Sequence, residues 1–247
     1  MKNIILILFI VSFKLPCLGQ NLNVFKIKEV FATDTINKKT ADNFRRQNFN
    51  FFEDEKYIVR KTCSGEWGGT VWFKNKKTGI ERGCAATCPV VINKLDGKYF
   101  VTATLNHLSG FSQVLEIDNP ELLNTFKLPK PRAVVGKRII RAVGDDESQS
   151  NKGSKILLDT TRVSILLSFS LNGQLYHVFT DYKKSYLGKI QSKKLVIIAT
   201  VSQESVWSYD TQVIKTVDGH FIAFFKNENV DGYLDVFGNG LTITRYR

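Results

Sequence analysis

The sequence lacks most of the motifs by which common enzyme classes are recognised. It has no Gly-x-Ser-x-Gly elbow, no phosphate-binding Walker loop and no His-Glu-x-x-His motif. Histidine is scarce, and the spacing of His107, His177 and His220 does not require a metal site. No amphipathic helical pattern stands out, and no apolar run after residue 13 is long enough to span a bilayer. We therefore expect no cofactor, no metal and no transmembrane segment.

A phrase that is typical of a β-hairpin occurs three times in the chain. It consists of an apolar residue, Asp or Asn, Gly, a polar residue and then an aromatic or aliphatic run, at 95–101, 171–177 and 217–223. Asp-Gly and Asn-Gly favour a type I′ turn, which needs positive φ at both central residues. A repeated hairpin indicates a repeated structural unit.

Each repeated unit has the length of four short antiparallel strands. An apolar strand precedes each turn, and strands of related pattern follow it, with a period of about 45 residues. In the first unit the pattern of the fourth strand, Leu122 to Phe126, is weak. Residues 25–83 are predicted to form an additional, degenerate unit. The sequence therefore predicts an all-β fold, a small propeller-like array of four-stranded antiparallel units. The alternative is a β-sandwich, which also has short strands and regular turns.

The amino terminus has the pattern of a secretory signal peptide. A charged start is followed by an apolar run from Ile4 to Phe13, and Cys17 and Gly19 are small residues placed for cleavage before Gln20. We expect residues 1–19 to be removed and the protein to be secreted or periplasmic. The alternative is a lipoprotein anchored at Cys17. Residues 20–247 are predicted to form one domain, with a basic and polar insertion at about 127–155.

Three cysteines remain after the predicted cleavage, namely Cys63, Cys84 and Cys88. An exported chain meets an oxidising compartment, so we expect one disulfide and one unpaired thiol. A hairpin predicted near residues 70–80 separates Cys63 from the other two. We expect Cys63 to pair with either Cys84 or Cys88.

The chain is basic, which permits an acidic partner. Its formal net charge is +12, and loss of Lys2 and Lys14 with the signal peptide leaves about +10. A basic arm in the insertion could bind an anionic glycan or another polyanion, or it could be a solvated excursion. Its candidate ligand-binding residues are Lys130, Arg132, Lys137, Arg138 and Arg141.

Two further binding candidates lie in glycine-containing segments. Trp67, within Gly65-Glu66-Trp67-Gly68-Gly69, could form an exposed stacking platform for a sugar or could pack between units. His107 lies in Asn106-His107-Leu108-Ser109-Gly110, a loop between the second and third strands of its unit. We expect a non-catalytic binding protein of unknown ligand, with no catalytic residue assigned. The alternative is a glycan-cleaving hydrolase that uses two of Asp181, Asp210 and Asp231.

The three units from about Pro89 to Arg247 resemble β-propeller blades. With the segments around Trp67 and His107, the chain as a whole resembles secreted bacterial proteins of propeller-like architecture. The Gly-His and Trp-Asp signature of WD repeats does not occur in the units. Because those proteins have no established activity, the resemblance implies an architecture and an exported location and assigns no functional residue.

Overall fold

The fold is built almost entirely from β-strands. The computed structural model describes residues 25–33, 38–47, 49–107, 109–136, 138–227 and 230–246. Strands make up 55% and short 3-10 helices 4% of the described part, which confirms the prediction of an all-β fold. The signal peptide, Cys17 and Lys137 lie outside these residues. Within them, no helix is long and apolar enough to cross a membrane.

Four sheets follow one another along the chain, and each contains four antiparallel strands. Sheet I consists of β2 (Phe52–Glu53), β3 (Tyr57–Lys61), β4 (Thr70–Asn75) and β5 (Glu81–Ala85); β1 (Lys26–Ala32) precedes it in the chain. Sheet II consists of β6 (Pro89–Leu95), β7 (Lys98–Leu105), β8 (Phe111–Ile117) and β11 (Lys155–Thr161). A separate hairpin of β9 (Ala133–Val135) and β10 (Arg138–Ile140) lies between β8 and β11 in the chain.

The remaining two sheets complete the array. Sheet III consists of β12 (Ser164–Leu171), β13 (Gln174–Thr180), β14 (Ser185–Gln191) and β15 (Lys194–Ser202). Sheet IV consists of β16 (Gln212–Lys215), β17 (Phe221–Lys226), β18 (Asp231–Phe237) and β19 (Gly240–Tyr246). Strand β1 adds to sheet IV by pairing in parallel with β19, so the amino-terminal part of the described chain lies beside its carboxyl-terminal strand.

The fourth strand of sheet II corrects the sequence prediction. Leu122 belongs to a 3-10 helix, Pro120–Leu122, and the strand that completes the sheet is β11. The predicted strand was wrong because Leu122 to Phe126 has an apolar pattern but follows Asn119-Pro120, where Asn119 caps the helix by accepting a hydrogen bond from the Glu121 N–H (3.1 Å). The insertion therefore interrupts a sheet between its third and fourth strands.

Two of the three predicted type I′ turns are confirmed by their backbone conformation. Asp96 and Gly97 have φ of 50° and 77°, and Asn172 and Gly173 have φ of 49° and 73°. At the third phrase Gly219 has a positive φ but Asp218 does not, so that turn was predicted wrongly. There the Thr216 hydroxyl bonds to the Asp218 carboxylate, and the hairpin loop is longer, between β16 and β17.

Hydrophobic clusters fill the seams between successive sheets. One cluster joins sheets I and II around Phe73 and Leu115, and a smaller one joins sheets II and III around Val114 and Ile165. A third joins sheets III and IV around Phe169. Six successive residues of β12 are buried, because neighbouring sheets cover this strand on both faces.

The seam between sheets IV and I is built differently. The segment before β2 runs beside β16: the Gln47 N–H donates to the Lys215 carbonyl (2.8 Å), and the Val217 N–H donates to the Arg45 carbonyl (3.1 Å). The ring of Phe44 packs edge-on against Phe224 of β17. This segment connects the last sheet to the first, and a cavity lies between the first strands of all four sheets.

Candidate functional site

Connections from all four sheets meet at one end, which we call the loop end; it comprises residues 62–69, 86–88, 106–110, 162–163, 181–184 and 203–211. Contacts join these connections across sheet boundaries. The Cys63–Cys88 disulfide ties the β3–β4 loop to the β5–β6 connection. The Asn106 side-chain amide donates to the Ser208 carbonyl (2.5 Å), which ties sheet II to the β15–β16 connection. The loop end is therefore one continuous surface.

An aromatic pocket opens on this surface. Trp207 lies edge-on to Tyr209, with ring centroids 4.8 Å apart, and Tyr182 lies edge-on to Trp207 at 5.6 Å. Trp207 and Tyr182 are half-buried, whereas Tyr209 is exposed. The cavity has a volume of about 650 Å³, and its lining residues are Asn106, His107, Ser109, Arg162, Asp181, Tyr182, Trp207 and Tyr209. We call it the loop-end pocket.

A buried asparagine and a glycine position the Tyr182 side chain in the pocket. The Tyr182 hydroxyl donates to the Asn106 side-chain carbonyl (3.0 Å), so Asn106 bridges two connections. Gly110 has φ of 71°, and a Cβ atom there would lie 1.8 Å from the Tyr182 hydroxyl oxygen. The glycine in the sequence segment 106–110 therefore allows the tyrosine to lie over this loop.

His107 and Trp67 lie close to one another at the loop end, although only His107 lines the pocket. His107 Nδ1 contacts a carboxylate oxygen of Glu66, the neighbour of Trp67 in the 3-10 helix Gly65–Trp67. Trp67 is 58% exposed, while Trp72 is buried beside Phe126. The structure thus brings one sequence-predicted candidate into the pocket and places the other beside it.

The disulfide settles the pairing that the sequence left open. Cys63 pairs with Cys88, and Cys84 is a free, fully buried thiol whose pKa is raised to about 12 by burial. Gly69 permits the close approach of the bridged loops, since a Cβ atom there would lie 2.6 Å from the Ala86 carbonyl oxygen. Gly69 therefore serves a tight loop crossing, whereas a Cβ atom at Gly65 would meet open space.

Part of the insertion is fastened to the loop end. Glu147 is buried, and its carboxylate accepts hydrogen bonds from the hydroxyls of Ser64 (2.7 Å), Thr70 (2.6 Å) and Thr62 (2.5 Å). The Ser148 N–H donates to the Thr70 hydroxyl (2.7 Å). Hydroxyl donors thus satisfy the buried carboxylate and fix this part of the polar insertion to the β3–β4 loop.

The basic arm lies apart from the loop-end pocket and from the cavity between the first strands. Lys130 is exposed, Arg132 is exposed before β9, and Arg138 is exposed on β10. Arg141 bonds to the Pro129 carbonyl across the base of the hairpin. None of these side chains lines the loop-end pocket or the cavity between the first strands. The structure does not join the arm to the pocket, and a role in binding stays a prediction.

The three candidate carboxylates do not share a cavity in the described structure. Asp181 lines the loop-end pocket, but it accepts hydrogen bonds from the backbone N–H groups of Lys183 and Lys184, both at 2.9 Å. Burial opposes ionisation, yet these bonds and the Tyr186 hydroxyl hold the pKa of Asp181 below its usual value. Asp231 forms an ion pair with Lys38 at 2.9 Å, and Asp210 lines neither cavity.

The histidines have separate environments. His177 is buried and contacts the Ser168 hydroxyl at 2.7 Å; burial lowers the pKa of His177 to about 3. His220 contacts Asp235 at 2.7 Å. Among the described residues, no group of three or more His, Cys, Asp or Glu side chains has the arrangement of a metal site.

Comparison with protein-family models, curated proteins and solved structures returned no match. The resemblance to secreted bacterial propeller-like proteins therefore stays a prediction. Sequence reasoning did not assign Arg162, Tyr182, Trp207 or Tyr209 to a site, although they form much of the pocket. The concentration of aromatic and polar residues in 206–210, between two strands, was the available signal.

Proposed function

We propose that the protein is an exported, non-catalytic glycan-binding protein and that its loop-end pocket holds a sugar ring. The observation that carries this proposal is the grouping of Tyr182, Trp207 and Tyr209 in one open cavity. Aromatic rings stack on the apolar faces of sugar rings, and the polar groups of tyrosine and tryptophan can form hydrogen bonds at a solvent-exposed surface. The surrounding loops belong to three sheets, as is typical of binding sites supported by a rigid scaffold.

The polar residues of the pocket favour a glycan that carries acidic groups. Arg162 is exposed at the pocket and can form paired hydrogen bonds with a carboxylate or sulfate. His107 and Ser109 add hydrogen-bonding groups for hydroxyls. The net charge of about +10 on residues 20–247 would also attract a polyanionic chain to this surface.

Binding is better supported than hydrolysis. A glycosidase needs two carboxyl groups on opposite sides of the scissile bond, one of them able to deliver a proton. Asp181 is the carboxylate of the pocket, and hydrogen bonds that stabilise its charged form oppose that role. We therefore keep the hydrolase as the alternative that the experiment below must exclude.

We further propose that the four sheets are arranged radially, as in a small propeller. Three filled seams between successive sheets, the parallel pairing of β1 with β19 and the cavity between the first strands support this arrangement over a two-sheet sandwich. In such an array the long connections of successive units meet at one end, where the pocket lies. Export follows from the predicted signal peptide and is supported by the disulfide.

A glycan array tests the proposal. Purified residues 20–247 should bind a subset of acidic glycans, and Trp207→Ala should weaken that binding about tenfold, since an aromatic contact of this kind contributes about 1 kcal/mol or more. Trp67→Ala is the matched control, because Trp67 is exposed at the same end but does not line the pocket. Loss of binding in the Trp67 variant alone would place the site elsewhere.

The same preparation tests the hydrolase. Bound glycans should be recovered intact after long incubation. Cleavage products that disappear in Asp181→Asn would show catalysis and refute the non-catalytic assignment.

A further inference from the structure

A second cavity lies between the first strands of all four sheets; we call it the central cavity. Its volume is about 500 Å³. Its walls include Glu53 of β2, residues 90–94 of β6, Ser170 of β12 and residues 212–215 of β16. It shares no lining residue with the loop-end pocket.

The central cavity has an excess of positive charge. Arg46, Lys61, Lys94 and Lys215 line it, whereas Glu53 is its acidic lining residue. Glu53 is paired with Lys76 at 2.6 Å, and Lys94 is paired with Asp54 at 2.6 Å. Within the described residues no carboxylate lies within ion-pair distance of the other three cations. Arg46, Lys61 and Lys215 therefore remain available to an anion.

Two contacts hold the ammonium of Lys61 at the cavity. Its side chain is accessible to water, yet desolvation lowers the pKa of Lys61, with Asp210 acting in the opposite direction. Its ammonium donates one hydrogen bond to the Pro89 carbonyl (2.6 Å) and lies 4.9 Å from the centroid of the Phe51 ring. An ammonium has three N–H donors, so two remain for a ligand. A partly desolvated cation with spare donors is a favourable partner for a carboxylate.

Apolar side chains form much of the remaining wall. Val90, Ile92 and Ile214 are buried strand residues that line the cavity, and Phe221 lines it beneath the Lys215 ammonium, which is 5.5 Å from the ring centroid. Such walls favour the hydrocarbon part of a ligand. The cavity thus combines several cations with an apolar wall. An inorganic anion would bind to the cations but would make no use of the apolar wall.

We propose that the central cavity binds an amphipathic organic anion, a carboxylic acid with an acyl or aryl body. Its carboxylate would be held by Lys61, with the charges of Arg46 and Lys215 acting at longer range, and its hydrocarbon part would lie against Val90, Ile92 and Phe221. This binding site is separate from the glycan-binding site proposed above and does not depend on it.

Titration calorimetry with three probes tests the chemistry of the site. Octanoate should bind; octanol, which has the same chain and no charge, and inorganic phosphate, which has charge and no chain, should each bind at least tenfold more weakly. Equal binding of octanol would refute the role of the cations. Equal binding of phosphate would refute the role of the apolar wall, and no binding of octanoate would refute the proposal.

Two methionine variants test the location of the site. Lys61→Met keeps the length of the side chain and should weaken octanoate binding about tenfold, the equivalent of one charge-assisted hydrogen bond. Lys74→Met is the control, because Lys74 is exposed on β4 and does not line the cavity. Equal loss in both variants, or in neither, would refute the assignment.

Lys215→Met is a second variant in case Lys61→Met fails to fold, and a smaller reduction is expected, because this charge acts at longer range. Trp207→Ala should bind octanoate as the unmodified protein does, because it changes only the loop-end pocket. A loss of octanoate binding in that variant would show that the probe binds at the loop end, which would refute the central site.

Discussion

The chain reverses direction at both ends of the sheets, but the connections at the two ends differ. At the end opposite the loop end, which we call the hairpin end, two-residue turns at 96–97, 172–173 and 192–193 connect paired strands. Their conformation is local, since positive φ at two residues suffices to reverse the chain. The connections that meet at the loop end range from 162–163 to 203–211, and their shape depends on a disulfide, the buried Glu147 carboxylate and Asn106. The longest connection, 118–154, begins and ends at the hairpin end and reaches the loop end through Glu147.

This difference explains where binding groups can accumulate. A two-residue turn leaves little chain to carry side chains toward a ligand. A long connection carries more side chains, but it needs partners from other sheets to hold one conformation. The loop-end pocket therefore consists of residues whose positions are set by contacts with distant segments, and its rigidity should be sensitive to changes outside the pocket.

The largest expected effect on stability comes from removal of the Cys63–Cys88 disulfide at the loop end. Replacement of Cys63 and Cys88 by serine should lower the free energy of unfolding by about 2–4 kcal/mol, because the bridge restricts the unfolded chain. Urea unfolding with and without dithiothreitol measures this effect. The reductant should destabilise the unmodified protein and leave the double variant unchanged. Equal stability of the unmodified protein under both conditions would show that the loop end does not depend on the bridge.

A second prediction concerns the region between the two ends, where His177 is buried. The pKa of His177 is about 3 in the folded protein, against 6.5 for an unperturbed histidine. Below pH 6.5 the unfolded chain takes up a proton that the folded protein does not. Stability is therefore complete above pH 6.5 and should fall by about 1.4 kcal/mol per pH unit as the pH drops toward 3.

Urea unfolding at pH 7 and pH 5 measures this contribution, which amounts to about 2 kcal/mol at pH 5. His177→Gln should lose that part of the pH dependence. Val178→Ala removes buried volume beside it without removing a titrating group, so it should be less stable and retain the dependence. If His177→Gln retained it as well, another group would be responsible.

The smallest expected effect compares one glycine from each end. Gly97 and Gly110 both have positive φ, 77° and 71°, so alanine should destabilise either position by about 1 kcal/mol. A Cβ atom at Gly97 meets open space, whereas one at Gly110 would overlap the Tyr182 hydroxyl. Gly110→Ala should therefore destabilise by about 1 kcal/mol more.

Thermal or urea unfolding compares the two variants, and binding to the glycans of the array adds a second measurement. Gly110→Ala should also weaken glycan binding, because the tyrosine must move, and Gly97→Ala should not. Equal effects on stability and binding would remove the proposed distinction between the two ends.

Several strands could be predicted from local patterns. Apolar strands beside Asp96-Gly97 and Asn172-Gly173 were predicted close to their actual positions in β6 and β12. The turn at Ser192 and Lys193 was missed, although both residues have positive φ, because neither residue type favours that conformation. Strand β11 was missed because 37 residues, 118–154, separate it from its partner β8.

The candidate site was less predictable than the fold. His107 could be named because of its loop, and it does line the pocket. Tyr182 follows β13 in a short connection, and nothing local indicates that it packs against Trp207, which is 25 residues further along the chain. The basic arm was conspicuous in sequence because five charges lie within 130–141, and the described residues of the arm line neither cavity.

The sequence by itself determined the all-β character, the repeated four-stranded units, the two type I′ hairpins and the availability of Cys63 for a disulfide. These features depend on neighbouring residues, through strand periodicity and turn conformation. Tertiary structure decided the choice of Cys88 over Cys84, the burial of Glu147, the aromatic pocket and the cationic cavity. Each of these requires residues far apart in the chain to meet, and their meeting is set by how the sheets pack against one another.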